Sequence, residues 1–229
     1  MNKKTRIYII RHGESIGNVN GNFNGSNDLP LNEKGIAQAK ALHSVIKKIN
    51  YDVVYSSALK RALQTAKYSL KNNSIKINIV KELNEINGGD WEKSAWVSLP
   101  IKWPTAFENW MNNPHLLQMP NGENMVNFSN RCINAFEDII NKNENKTILV
   151  YCHGTVIKVM QTYFKKIQLK NMKDILWHEN TGVFCVDINK DTYKIVKEND
   201  ITHLSKDLRR TRKTSWHKEL ENWKIKNNS

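Results

Sequence analysis

Two apolar runs of this chain each end in a histidine followed by a glycine. The first covers residues 5–10 and leads into Arg11-His12-Gly13, and the second covers residues 147–152 and leads into His153-Gly154. Both runs have the length and the β-branched content of buried strands, and in each the glycine follows the strand end. Because open α/β sheets bind ligands beyond the carboxyl ends of their strands, we expect the two histidines at one shared site.

Strand and helix patterns alternate along the chain, and this alternation predicts an α/β fold. Strands are predicted at 5–10, 52–56, 76–80, 147–152, 182–188 and 192–197, and helices at 33–49, 58–71, 122–142, 154–165 and 214–224. Such a pattern favours a three-layer sandwich with a mostly parallel sheet and helices on both faces. The last two strands are expected to form a hairpin, and the length of 229 residues suits one domain, 1–229.

The stretch 93–119 interrupts this alternation, and we expect it to form a small helical cap insertion over the sheet edge. It contains three prolines and four large aromatic residues: Pro100, Pro104, Pro114, Trp96, Trp103, Phe107 and Trp110. The favoured interpretation is that the aromatic side chains pack into a small core of their own. The alternative is that some contact a ligand, which would then carry an apolar or ring-bearing part.

Other segments carry side chains suited to binding an anion. Arg61 is predicted in the first turn of the helix 58–71, and helix N-termini attract anions. Arg11 presents a planar guanidinium, which matches phosphoryl oxygens. Glu85 and Glu92 lie on a glycine-containing loop, which suits a general acid. The remaining histidines have no such neighbours and are expected to be ordinary: His43, His115, His178, His203 and His217.

In these residues and their order, the chain resembles the histidine phosphatase superfamily, the phosphoglycerate mutase-like proteins, from about residue 7 to 203. The matching motifs are RHGES with Asn18 downstream, DLPLNEKG at 28–35, SSALKRALQTA at 56–66, LNEINGGDWE at 83–92, PNGEN at 120–124 and YCHGT at 151–155. Each motif is short, but the ordered set is specific. The acid-phosphatase branch is disfavoured, because it is expected to show His-Asp where this chain has His153-Gly154.

The resemblance implies a phosphomonoester hydrolase that acts on a small phosphorylated metabolite through a phosphohistidine. His12 would attack phosphorus, and Glu85 would act as the acid and then the base, with Glu92 as the rival acid. The implied catalytic set is His12, Glu85, His153, Arg11 and Arg61. The implied phosphate-binding set is Arg11, Ser15, Asn18, Arg61, His153 and Gly154. Neither a metal nor a cofactor is expected.

A 2,3-bisphosphoglycerate-dependent phosphoglycerate mutase is the alternative within the same fold. Such an enzyme needs cations for a second phosphate or carboxylate group. The resemblance leads us to expect a tyrosine and a lysine soon after the acid and two arginines in the insertion, whereas 93–119 offers only Lys93 and Lys102. This favours the phosphatase. Many phosphatases of the family show Trp-Glu-Gly where this chain has Trp91-Glu92-Lys93, and this departure leaves the acceptor preference open.

The segment 205–229 forms a basic C-terminal extension, with eight lysines and arginines against three acidic residues in a chain of formal charge +13. Trp216 and Trp223 are seven residues apart, which favours an amphipathic helix docked on the domain or on a partner chain over a solvated tail. A protein that binds nucleic acid or another partner through this arm is the alternative of another class, although nucleic acid is not the expected partner. A homodimer is left open.

The compartment is predicted from leader, hydropathy and cysteine patterns. No secretory leader precedes the first strand and no run is long and apolar enough to span a bilayer, so no membrane partner is expected. Cys132, Cys152 and Cys185 show neither disulfide nor zinc spacing. We therefore predict a cytoplasmic protein.

Overall fold

The computed structural model describes residues 4–70, 75–190 and 192–209. Its strands are β1 (Thr5–Arg11), β2 (Val53–Ser56), β3 (Ile77–Ile79), β4 (Thr147–Cys152), β5 (Val183–Asn189) and β6 (Thr192–Asp200). They form one sheet in the order β3-β2-β4-β1-β5-β6. The first four strands in this order are parallel, whereas β5 and β6 are antiparallel to their neighbours. The predicted mostly parallel sheet and late hairpin are both confirmed.

Helices cover both faces of the sheet. They are α1 (Ile16–Val19), α2 (Glu33–Ile46), α3 (Lys60–Ser69), α4 (Leu99–Lys102), α5 (Pro104–Asn112), α6 (Met125–Asn141) and α7 (Gly154–Phe164). Short 3-10 turns lie at Lys81–Leu83, Gly89–Trp91, Trp96–Ser98, Pro114–Leu116 and Leu169–Asp174. Within the described ranges, no helix is both long and apolar enough to cross a membrane.

The central strand β1 is buried on both faces, which explains its run of apolar residues. Ile7 and Ile9 pack into the core beneath α6 and α7. Tyr8 and Ile10 point the other way, into the core beneath α2 and α3. This alternation follows from the two-residue period of a strand, and it makes the position of the strand end rigid.

The helices begin and end close to the predicted positions, and capping explains the later start of α6. Asn124 accepts a hydrogen bond from the N–H of Asn127 at 2.8 Å, so α6 begins at residue 125 and not at 122. Asn32 caps α2 in the same way through Gly35 at 2.8 Å. The helix predicted at 214–224 lies outside the described residues.

The insertion 93–119 carries α4, α5 and two of the 3-10 turns. Trp96, Phe107 and Trp110 pack with Phe23 and Trp91 into an aromatic cluster with ring centroids 5.2–6.3 Å apart. The expected separate core is not what the structure shows: Phe107 belongs to the large core that also contains Ile7 and Ile9, and Trp96, Trp103 and Trp110 pack against that core.

Candidate active site

The parallel pairing of β1 with β4 places the two His-Gly pairs side by side. Arg11 is the register partner of Cys152, and the N–H of His12 donates to the carbonyl of Cys152 at 3.0 Å. His153 directly follows the end of β4, and the centroids of the two imidazole rings are 5.2 Å apart. The predicted shared site is therefore produced by strand register.

His12 is buried, with 3% of its surface exposed, and its tautomer is set by its neighbour. The Nδ1 atom lies 2.6 Å from the carbonyl oxygen of Gly13. Because a carbonyl only accepts, Nδ1 carries the proton and Nε2 keeps its lone pair. Burial, followed by the charges of Arg61 and Arg11, lowers the pKa of His12 well below 6.5. A neutral imidazole with a free Nε2 lone pair can act as a nucleophile.

His153 precedes the first residue of α7 and is held through its Nε2, which lies 2.6 Å from the Oγ of Ser57. The same Oγ accepts from the N–H of Leu59 at 3.1 Å and donates to Oδ1 of Asn84 at 3.1 Å. A hydroxyl has one proton, so the Nε2–H of His153 must be the donor to Ser57. Nδ1 of His153 is buried without a partner among the described residues.

Two arginines supply positive charge to the pocket. Arg61 is only 1% exposed, and its two Nη atoms donate to the carbonyls of Asn27 at 2.6 Å and Gly25 at 2.7 Å. Its Nε is buried without a hydrogen-bond partner in the described part of the chain. Nη1 of Arg11 donates to the carbonyl of His178. Both guanidinium groups are therefore held by backbone carbonyls.

The electrostatics of the pocket favour a bound anion. Burial lowers the pKa of Arg61 to about 10, against the opposing charges of Glu85 and other carboxylates, so the guanidinium stays protonated at neutral pH. Burial, followed by Arg61 and His12, lowers the pKa of His153 well below 6.5. The N-terminus of α7 adds a positive dipole end. An oxyanion would balance this charge and accept from the unpartnered Nε–H of Arg61, and it would accept from Nδ1 of His153 only when that nitrogen is protonated.

The two candidate acids occupy different places. Glu85 is 8% exposed, and its Oε2 accepts from the N–H of Thr155, in the first turn of α7, at 3.1 Å. It therefore lies next to His153. Glu92 turns away and binds a loop at residues 25–27. The geometry thus brings Glu85, and not Glu92, to the helix that carries His153.

The remaining predicted residues lie close to the two histidines: Nδ2 of Asn180 donates to both the carbonyl of His12 and Oδ1 of Asn18, and Gly154 directly follows His153. Oδ1 of Asn18 accepts from the N–H of Ser15 at 3.0 Å, so this amide oxygen stabilises the loop that follows His12. A Cβ on Gly154 would lie 2.9 Å from Cζ3 of Trp177 and 3.5 Å from Nε of Arg11. Glycine at position 154 therefore permits the close approach of Trp177 to the pocket.

Several residues of the site were not predicted. Ser57 had a signal, since it directly follows the predicted strand 52–56, but its contact with His153 depends on strand order. Asn180 donates through Nδ2 to the carbonyl of His12 at 3.0 Å, and Thr65 accepts from the N–H of Gly13 at 2.9 Å. Neither contact follows from a local pattern. His178, predicted to be ordinary, contributes its backbone carbonyl to Arg11.

Comparison with known proteins places these features in a family. The model of the histidine phosphatase superfamily (branch 1) matches residues 7–201. The chain is 30% identical to the adenosylcobalamin/alpha-ribazole phosphatase of Escherichia coli (strain K12), over 81% of this chain and 91% of that protein. It is also 30% identical to the metal-independent phosphoserine phosphatase of Arabidopsis thaliana, over 88% and 84%. The solved structure of Bacillus stearothermophilus YhfR superposes with a TM-score of 0.83 at 30% identity, covering 87% and 98% of the two chains.

Proposed function

The chain belongs to branch 1 of the histidine phosphatase superfamily, and on this basis we propose that it hydrolyses a small phosphorylated metabolite through a phosphohistidine on His12. The observation that carries this proposal is the buried, neutral His12, whose Nδ1 is 2.6 Å from the Gly13 carbonyl and whose Nε2 keeps its lone pair. His153, Arg11 and Arg61 surround it. The product is an alcohol and inorganic phosphate.

In the first step, Nε2 of His12 forms a bond to phosphorus while the bond to the alcohol oxygen breaks. Arg11, Arg61 and His153 bind the phosphoryl oxygens and stabilise the charge of the transition state. Glu85 donates a proton to the departing oxygen. The hydrogen bond from Nδ1–H of His12 to the Gly13 carbonyl stabilises the positive charge that the imidazole ring acquires.

In the second step, water attacks the phosphohistidine and Glu85 accepts the proton of that water. The bond between Nε2 of His12 and phosphorus breaks, and phosphate leaves. His153 can donate to the phosphate through Nδ1 only when that nitrogen is protonated, because its Nε2–H is already used on Ser57. The negative charge of bound phosphate favours this protonation.

We expect the alcohol part of the substrate to contact the indole ring of Trp177. The indole of Trp177 is 44% exposed and stacks on Trp110 with centroids 6.2 Å apart. Its Cζ3 lies 2.9 Å from where a Cβ on Gly154 would be. An exposed aromatic surface beside a phosphate site favours an alcohol with a ring or an apolar part. We therefore propose a preference for ring-bearing phosphomonoesters over small polar ones.

The insertion 93–119 offers no cationic subsite for the second phosphate or carboxylate group that a mutase must bind. Lys93 and Lys102 are both exposed, and the Lys102 ammonium lies 5.8 Å from the centroid of the Trp103 ring. The test is to supply 3-phosphoglycerate with and without 2,3-bisphosphoglycerate. Release of free phosphate supports the hydrolase, whereas rapid conversion to 2-phosphoglycerate with little free phosphate contradicts it.

The proposed activity is tested by phosphate release from a panel of sugar phosphates, nucleotides, phosphoserine and phosphoglycolate in the presence of a chelator. His12→Ala should abolish turnover, and Glu85→Gln should impair substrates with poor leaving groups most. His43→Ala is the matched control, because His43 lies on α2 and bonds to the Ser69 carbonyl at 3.1 Å. Activity that survives in His12→Ala would refute the proposed nucleophile.

We also propose a reducing compartment, the cytoplasm, since Cys132, Cys152 and Cys185 are all buried free thiols. Burial raises the pKa of Cys132 to about 12, which makes its thiol unreactive. The homodimer stays a prediction, and so does the role of the basic extension, most of which lies outside the described residues.

A further inference from the structure

Glu92 is a partly buried carboxylate that accepts hydrogen bonds from the loop 25–27 and from Gly88. Its two oxygens accept five hydrogen bonds at 2.6–3.1 Å. The donors are the backbone N–H groups of Gly25, Ser26 and Gly88, the Ser26 hydroxyl and the Asn27 side-chain amide. A carboxylate has about four lone-pair sites, so these donors occupy its acceptor capacity.

The loop held by Glu92 is the loop that holds Arg61. Gly25 donates its N–H to Glu92 at 3.1 Å and accepts from Nη2 of Arg61 at 2.7 Å. Asn27 donates its side-chain amide to Glu92 at 2.6 Å, and its carbonyl accepts from Nη1 of Arg61 at 2.6 Å. The loop 25–27 therefore connects the carboxylate to the guanidinium by two parallel paths.

Close packing keeps this connection short. A Cβ on Gly25 would lie 2.2 Å from the carbonyl oxygen of Ile86 and 2.6 Å from Oε1 of Glu92. The loop is thus pressed against the residue that follows Glu85. Any displacement of the loop would move the two carbonyls that orient Arg61, and it would disturb the backbone beside the proposed acid.

We propose that Glu92 is a positioning residue that orients Arg61 for phosphate through the loop 25–27. This inference rests on the proposed function only in assigning phosphate to Arg61. The inference gives different roles to the two carboxylates of the glycine-containing loop. Glu85 protonates the leaving oxygen, and Glu92 orients Arg61 in the anion site. Its negative charge also opposes the effect of burial on the pKa of Arg61 and so helps to keep that group protonated.

The test compares Glu92→Ala with Glu92→Gln, with Asp90→Ala as the matched control. Asp90 is an exposed acid two residues away, and its carboxylate bonds to Asn121 at 2.9 Å. Inorganic phosphate is the probe for binding, and calorimetry measures its Kd. Phosphate esters with good and poor leaving groups are the probes for turnover.

For a positioning residue, Glu92→Ala should raise the Kd of phosphate and lower kcat/KM about 10- to 100-fold, equally for both kinds of leaving group. Glu92→Gln should show a smaller loss than Glu92→Ala, because its amide oxygen replaces one carboxylate oxygen as an acceptor, whereas its amide nitrogen faces N–H donors and cannot accept from them. Asp90→Ala should match the wild type. An unchanged Kd for phosphate in Glu92→Ala would overturn the inference. So would equal loss in both Glu92 variants confined to poor leaving groups, which is the behaviour of a general acid.

A double-mutant cycle tests whether Glu92 affects phosphate affinity through Arg61. In an Arg61→Ala background, Glu92→Ala should cause little further loss of phosphate affinity, whereas additive losses would contradict the proposed path. If Glu92→Ala fails to fold, Asn27→Ala removes one of the five bonds and should raise the Kd of phosphate by a smaller factor. An unchanged Kd in that variant would then count against the inference. Phosphate binding is measurable without turnover, so failure of the hydrolase proposal is distinguished from failure of this one.

Discussion

Replacing Ser57 by alanine should reduce activity because it releases the ring of His153. The Ser57 hydroxyl takes part in three hydrogen bonds: it accepts from Nε2–H of His153 at 2.6 Å and from the N–H of Leu59 at 3.1 Å, and it donates to Oδ1 of Asn84 at 3.1 Å. Alanine removes all three without changing the backbone. Asn84 keeps its bond from the N–H of Ala58 at 2.9 Å, so the main losses fall on His153 and Leu59.

The magnitude follows from the burial of these groups. His153 and Ser57 are both completely buried, and each donor left without a partner costs about 1–3 kcal/mol. Two such donors lower the free energy of unfolding by about 2–6 kcal/mol. A freed imidazole ring also loses its fixed direction toward phosphate, which should reduce kcat/KM about 10- to 100-fold.

The assay is steady-state hydrolysis together with denaturant unfolding, and Ser56→Ala is the control. Ser56 is also buried, but its hydroxyl donates only to the carbonyl of Ser57 at 2.9 Å. This variant should lose about 1 kcal/mol of stability and keep its kcat/KM. If folded Ser57→Ala hydrolyses substrate within twofold of Ser56→Ala, Ser57 does not orient His153 and the reasoning is wrong.

Two further predictions concern stability and selectivity. His12, His153 and His178 are buried, which lowers the pKa of the first two well below 6.5 and that of His178 to about 4. As the pH falls below about 6.5, the unfolded chain gains protons that the folded chain does not bind, so the free energy of unfolding in phosphate-free buffer should fall by up to about 1.4 kcal/mol per pH unit for each histidine. Denaturant midpoints that stay constant from pH 7 to 5 would contradict this. Trp177→Ala should reduce the kcat/KM ratio of a nucleoside monophosphate to ribose 5-phosphate about tenfold, in keeping with the loss of one aromatic contact. An unchanged ratio in the substrate panel would show that the alcohol does not contact this indole.

Much of the architecture could be predicted because it depends on local patterns. The runs at 5–10 and 147–152 are β-branched and apolar on both faces, and such strands belong in the interior of a parallel sheet. The start of α2 at Glu33 was predicted, whereas the start of α6 was placed three residues too early because the capping role of Asn124 was not recognised in the sequence. The hairpin of β5 and β6 was expected from two adjacent strand patterns, which is a short-range feature.

The supporting contacts of the site could not be predicted, because they join residues far apart in sequence. Ser57 meets His153 only because β2 pairs with β4. Asn180 reaches His12 because β5 pairs with β1. The preference for Glu85 over Glu92 rested on the resemblance alone, since both lie on one loop and only the fold shows that Glu85 contacts α7.

The most direct test of the proposed mechanism is the stereochemical course of hydrolysis at phosphorus. The substrate is a phosphorothioate monoester made chiral with oxygen isotopes and hydrolysed in water of a third oxygen isotope, so that the released thiophosphate is itself chiral, and the configuration of this product is determined after a single turnover. Two successive in-line displacements, first by His12 and then by water, predict net retention of configuration. Net inversion would show that water attacks the substrate directly, and it would contradict a phosphohistidine on His12.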